Sequence, residues 1–137
     1  MDLRTVLPCD ASSVGKARRL LRQELAALGA ADLDNSGFVA PDLVDAAGLL
    51  VSELVTNAVM HARTDVTLHV TVRRGVLRIE VTDGSPVVPT PRRASGLAGT
   101  GRGLQLVDRL SDRWGVDKAR KGKTIWFELT PTARAAG

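Results

Sequence analysis

Glu53 and Asn57 lie four residues apart in the mostly apolar run from Leu49 to Ala62. At about 100° per residue a helix separates them by one turn. Asn57 then shares an arc with Ala46, Leu50 and Leu54, and Glu53 sits at its edge. A helix built only for packing would carry Leu or Ala there. Taking an unpaired carboxylate or amide out of water costs several kcal/mol or shifts the group's pKa. That cost is tolerable where the helix lines a wet, charged site. A carboxamide and a carboxylate on one face can hold a hard divalent cation and orient a hydroxyl or a water. On this helix alone the alternative has equal weight: both groups satisfy nearby backbone at the end of a core stripe.

A second polar set follows a strand pattern. Val76 to Thr82 alternates and ends in Asp83-Gly84-Ser85-Pro86. A proline-containing stretch with Arg92-Arg93 then leads to Gly99-Thr100-Gly101-Arg102-Gly103, which runs straight into the helical pattern Leu104 to Leu110. Glycines let main-chain N–H groups approach a phosphate closely, and a helix N-terminus adds roughly half a positive charge. A flexible loop before a helix has the same composition. Two other glycine motifs are excluded. The dinucleotide fingerprint needs an early strand–turn–helix and a later acid. The Walker loop needs Gly where this chain has Asp117, and Gly122-Lys123-Thr124 precedes the strand-like Ile125 to Leu129 rather than a helix.

Taken in order, the chain carries a Glu-x-x-x-Asn helix, a strand ending in Asp-Gly, a loop, a Gly-x-Gly-x-Gly helix start and a Gly-Lys-Thr strand. In that order it resembles the ATP-binding domain shared by gyrase, the ninety-kilodalton heat-shock chaperone, bacterial histidine kinases and the mismatch-repair ATPase MutL. In its compact form it is similar to bacterial anti-sigma factors that double as serine kinases. The resemblance runs from about Leu3 to Pro131. It implies a Bergerat-type fold with ATP and Mg²⁺ as cofactors. It implies Glu53 as catalytic general base and Asn57 as the ligand of a Mg²⁺ that bridges the phosphates. Asp83 would accept from the adenine amino group, with Gly84 beside it and Thr124 in support through water. Gly99, Thr100, Gly101, Arg102, Gly103 and Leu104 would cradle the phosphates. For Arg102, contact with the β or γ phosphate and a solvent-facing place at a helix start have equal weight. His61, one turn beyond Asn57, reads as a packed, satisfied histidine, and His69 as an ordinary strand residue. One departure stands out: the family's Asp-x-Gly-x-Gly box reads Asp83-Gly84-Ser85-Pro86 here, which leaves fewer hinge glycines for a lid.

The resemblance further implies a cytoplasmic regulator. It would hold a sigma factor, release it on engaging an anti-anti-sigma (STAS-type) partner, and phosphorylate a Ser or Thr of that partner. A homodimer stays open. The first rival is an ATP-binding module without kinase activity. The second is a basic nucleic-acid-binding regulator, invited by the net charge of +4 from 19 basic and 15 acidic residues. Aromatics are only 3%, so stacking platforms are scarce, and the basic residues are spread along the chain. No direct nucleic-acid contact is therefore expected.

At 137 residues the chain suits one domain, with 44% hydrophobic and 25% charged residues. No uninterrupted apolar run is long enough to span a membrane. Met1-Asp2-Leu3-Arg4 lacks a signal peptide's apolar core, and a single Cys9 cannot form an internal disulfide, which suits a reducing cytoplasm. The expected elements follow from pattern. Asp2 to Leu7 is a strand stopped by Pro8. Ser12-Ser13 caps a helix to about Leu28, with Val14, Ala17, Leu21, Leu25 and Leu28 inward and Gly29 after it. Ala30 to Gly37 is a polar turn. A long buried helix spans Phe38 to Ala62, with Pro41 in its first turn. Val66 to Val72 and Leu77 to Val81 alternate around a tight Arg74-Gly75 turn. After a lid loop at 86–100 and a third helix, Trp114 to Lys118 and Thr124 to Leu129 form a hairpin around the turn Ala119 to Gly122. Residues 132–137 form a loose tail. This order implies an α+β two-layer sandwich of a mostly antiparallel mixed sheet and three main helices.

Overall fold

Period-two alternation builds the sheet. The computed structural model describes residues 2–27, 41–87 and 102–130. Its strands are β1 (Asp2–Leu7), β2 (Val66–Arg73), β3 (Val76–Asp83), β4 (Arg113–Ala119) and β5 (Gly122–Leu129). They form one sheet in the order β1-β2-β3-β5-β4, with every described pairing antiparallel. One face carries Val66, Leu68, Val70 and Val72 of β2, Leu77, Ile79 and Val81 of β3, and Ile125, Phe127 and Leu129 of β5, all buried. The intervening residues face the other way and carry charge. Arg78 pairs with Glu80 at 2.9 Å and with Glu128 at 3.0 Å, and its guanidinium stacks 4.1 Å from the Trp126 ring centroid. The β2–β3 turn is Arg74-Gly75, with φ of 54° and 79°. Two left-handed residues match the strand twist at a two-residue hairpin.

Three helices cover the apolar face: α1 (Ser12–Ala26), α2 (Pro41–Asn57) and α3 (Arg102–Leu110). The result is an α+β two-layer sandwich, as expected. α1 buries Ser13, Ala17, Leu21 and Leu25, one stripe at helical spacing. α2 is the central helix and packs against α1, α3, β3 and β5. It buries Leu43, Ala47, Leu50, Val51, Leu54 and Val55. By length and composition Leu43–Ala62 is apolar enough to cross a membrane, with mean hydropathy 1.5 over an 18-residue stretch, yet 56% of that stretch is buried inside the protein. Its apolarity serves the core.

Local details differ from the sequence reading. The residue preceding α1 is Ala11, without a side-chain cap, not Ser12. Ser12 instead donates to the Asp10 carboxylate, and the buried Ser13 hydroxyl donates to the Pro8 carbonyl at 2.7 Å. The long helix is not α-helical to Ala62. After Asn57 it widens into a π turn, Ala58–Ala62, in which the Arg63 N–H donates five residues back to the Ala58 carbonyl at 2.8 Å. Arg63, at φ 58°, is the left-handed residue that ends it. The β4–β5 turn narrows to Arg120-Lys121 because both strands run longer than expected. Leu28 to Ala40, most of the lid loop (88–100) and the tail lie outside the described residues.

Candidate functional site

The apolar files of β3 and β5 each end in a charge at the same edge. Asp83 is the next inward step after Leu77, Ile79 and Val81, and Lys123 the next after Leu129, Phe127 and Ile125. Register pairs them directly. They are only 8% and 5% exposed. The Lys123 ammonium donates to the Asp83 carboxylate, 3.0 Å from each oxygen, and to the Ser85 carbonyl at 3.1 Å. The Ser85 N–H donates to Asp83 Oδ1 at 2.8 Å. Burying two charges is tolerable because each satisfies the other. Gly122 permits this approach: a Cβ there would lie 2.3 Å from the Asp83 carbonyl oxygen. The Gly84 N–H donates to Thr64 Oγ1 at 2.9 Å, tying the segment after β3 to the chain that leaves the π turn.

These charges close one part of a pocket of about 210 Å³. Its apolar walls are Leu54, Ala62, Val81, Val87 and Ile125. Its polar lining is Asn57, His61, Asp83, Ser85 and Lys123. Asn57 is 9% exposed, and its Nδ2 is buried without a hydrogen-bond partner among the described residues. Such an orphaned atom is costly and points to a missing polar ligand. Gly103, in the first turn of α3, meets Asn57 and Glu53 together. A Cβ on Gly103 would fall 2.9 Å from Asn57 Nδ2 and 3.5 Å from Glu53 Cβ. Glu53 is half-buried beside this contact and outside the pocket lining.

A Mg²⁺ ion fits this arrangement in one way. Among the described residues no group of three or more His, Cys, Asp or Glu could hold a metal unaided. Mg²⁺ keeps several waters and takes few protein ligands when phosphates share it. Asn57 suits that role through its Oδ1, the carboxamide atom that can ligate a cation, and its unpartnered Nδ2 suits donation to a phosphate oxygen.

The expected site residues therefore divide. Glu53, Asn57 and Gly103 converge, and Asp83 shares the pocket with Asn57. Gly84 follows Asp83 at the strand end. Leu104 is buried at 1% exposure, so its side chain belongs to the hydrophobic core. Gly99, Thr100 and Gly101 lie outside the described residues, and Arg102 opens α3. Thr124 is on the opposite face from Asp83. Its hydroxyl shares a 2.7 Å hydrogen bond with that of Thr82, so β5 offers the pocket Lys123 instead. Period-two alternation is the reason: 124 is in phase with Trp126, and 123 with Ile125. The expectation for His61 also changes. It is exposed and lines the pocket, carried there by the π turn. His69 is engaged on the outer face, 2.8 Å from Asp2 and 3.4 Å from Glu80. The signal that could have revealed Lys123 was a cation in the apolar phase of a strand, next to a carboxylate in the apolar phase of its neighbour.

A family profile, the histidine kinase-like ATPase domain, matches residues 7–129. No curated protein matches the chain. Among solved structures, the chain is similar to the RsbU and RsbW domains of Rv1364c from Mycobacterium tuberculosis, with TM-score 0.66, 20% identity and 95% of this chain covered. It is also similar to the histidine kinase domain of the blue-light-activated histidine kinase EL346 from Erythrobacter litoralis, with TM-score 0.59, 21% identity and 94% covered. The chain spans 32% of the first protein's length and 64% of the second's. At these identities the likeness speaks for the fold, a layer of three helices on an antiparallel sheet.

Proposed function

Because the chain belongs to the histidine kinase-like ATPase domain family, we propose that it binds ATP with Mg²⁺ and passes the γ-phosphate to a serine or threonine of a partner protein. The observation that carries this reading is the meeting of Glu53, Asn57 and Gly103 beside a pocket that also holds Asp83. In this reading Asp83 accepts a hydrogen bond from the adenine amino group. Asn57 would hold Mg²⁺ through its Oδ1, and the ion would supply neutralisation of the triphosphate charge. Main-chain N–H groups at the start of α3 face the phosphates. The partner hydroxyl oxygen attacks the γ-phosphorus. A new O–P bond forms as the bond to the β–γ bridging oxygen breaks, and ADP leaves with that electron pair. The hydroxyl proton passes to the Glu53 carboxylate.

The resemblance to anti-sigma serine kinases supports a cytoplasmic regulator of transcription as its setting. It would hold a sigma factor and yield it when an anti-anti-sigma partner of the STAS type is engaged. The likeness to a mycobacterial chain that joins an RsbW domain to an RsbU domain supports the same setting. The test is labelling of such a partner from radiolabelled ATP by the parent and by Glu53→Gln. A positioned base contributes about 10²–10⁴-fold, so Glu53→Gln should bind ATP normally and transfer at least about a hundredfold more slowly. Equal labelling would remove the base assignment. No labelling by a parent that binds both ATP and partner would leave a nucleotide-binding module without transfer.

A further inference from the structure

Resting on the ATP-binding reading, we infer that Lys123 is the second base-reading group of the pocket, donating to adenine N1 while Asp83 accepts from the N6 amino group. The two side chains are direct cross-strand neighbours and both line the pocket. A carboxylate only accepts and an ammonium only donates. Together they present an acceptor beside a donor. The adenine edge presents the complement, an N–H donor at N6 beside an acceptor at N1. Leu54, Val81 and Ile125 make the nearby walls apolar. They suit a flat ring and offer its edge no polar partner of their own.

The other polar residue expected at the base, Thr124, is turned to the opposite face of the sheet and bonded to Thr82. Lys123 stands in its stead. Its ammonium already has three acceptors within 3.1 Å: both Asp83 oxygens and the Ser85 carbonyl. An arriving base need only draw one N–H from these to N1. The Lys123 stem and the strand stay in place. The pairing also settles charge. A lone buried carboxylate would face a neutral base at high desolvation cost, whereas the Asp83–Lys123 pair is neutral as a unit. Ser85, which replaces a glycine of the family box, contributes the carbonyl that holds the ammonium in position.

The experiment is calorimetric titration of the full chain with ATP, with 1-deaza-ATP, in which N1 is replaced by C–H, and with 7-deaza-ATP as control. A hydrogen bond to a charged donor corresponds to about ten- to a hundredfold in affinity. The parent should bind 1-deaza-ATP weaker than ATP by that factor, and 7-deaza-ATP like ATP. Lys123→Met should bind ATP and 1-deaza-ATP with equal affinity. If Lys123→Met does not fold, the paired variant Asp83→Asn/Lys123→Met strands no buried charge and gives the same readout. Equal affinity of the parent for ATP and 1-deaza-ATP overturns the inference and leaves ATP binding standing. So does an N1 preference that survives the loss of Lys123. No measurable ATP binding by the parent overturns both.

Discussion

Gly103→Ala separates two effects that usually travel together. The added methyl carbon would sit 2.9 Å from Asn57 Nδ2, closer than side-chain carbons approach such atoms, while its distances to Glu53 Cβ (3.5 Å) and Glu53 carbonyl (3.8 Å) are ordinary. Asn57 or the start of α3 must move by about half an ångström. Overpacking of this kind costs about 1–3 kcal/mol. Against it, Ala is favoured over Gly in a helix interior by about 0.8–1.0 kcal/mol, somewhat less in a first turn. The net loss of stability is therefore small, about 0–2 kcal/mol. Nucleotide binding has no such offset. A displaced Asn57 loses a charge-assisted contact of about 1.5–3 kcal/mol, which is about ten- to a hundredfold in affinity. The assay is a calorimetric titration with ATP·Mg²⁺ beside a thermal melt. Gly48→Ala is the control. Its Cβ, on α2, would meet Arg18 Cγ of α1 at 3.6 Å, an ordinary contact, so it should stabilise by about 0.8–1.0 kcal/mol and leave affinity unchanged. Parent-like ATP·Mg²⁺ affinity in a folded Gly103→Ala protein would refute the argument that this glycine exists to let Asn57 reach the nucleotide.

Asp83→Asn exchanges an acceptor oxygen for a donor and strands the Lys123 charge, so ATP affinity should fall about ten- to a hundredfold in titration. Thr124→Val should cost about 0.5–1.5 kcal/mol in denaturant unfolding through loss of the Thr82 hydrogen bond; unchanged ATP affinity would confirm that its hydroxyl faces away from the pocket. The outer face predicts a pH effect. Burial pushes the Glu80 carboxyl up, but the hydrogen bonds and charges of Arg78 and His69 outweigh it and hold the group below its ordinary 4.5. A carboxyl lowered on folding contributes stability above its unfolded pKa and loses it as pH falls through the folded one. Melting temperature should therefore drop on the acid side of pH 4.5, and Glu80→Gln should flatten that limb; an unchanged limb would mean the pairing contributes nothing.

Much of this fold was legible because its signals are periodic. Strand β1 was read to the residue, since Pro8 stops it and the alternation is short and clear. The Arg74-Gly75 hairpin needed only a glycine between two alternating runs. Asn57 stood out because a polar group in an apolar phase is costly without a purpose, and Asp83 because it ends an alternating strand beside a glycine. What was not legible depends on tertiary context. Ser12 looked like a cap, but Asp10 lies two residues back and takes its hydroxyl. Lys123 fell between the expected turn, Ala119 to Gly122, and a strand start set two residues late, at Thr124. With the correct start, the same alternation turns Lys123 inward and Thr124 outward. No local propensity announces the π turn, since Ala58 to Ala62 is ordinary helix composition.

That π turn has a consequence for how such chains are compared. A five-residue turn stores one residue more than the α-helical turn it replaces. The surplus sits immediately after Asn57, in the last helical turn before Arg63 ends the helix. A relative whose helix is α-helical throughout would be one residue shorter at this point while matching on both sides. Its alignment gap belongs between Asn57 and Arg63. Moved upstream, the gap would put Glu53 and Asn57 out of step with their counterparts. Moved downstream into the Thr64-Asp65 connection, it would misassign Thr64, whose hydroxyl receives the Gly84 N–H. Helix interiors are customarily treated as gap-free when sequences are aligned, and that custom would erase a residue correspondence at the one helix whose phase matters most.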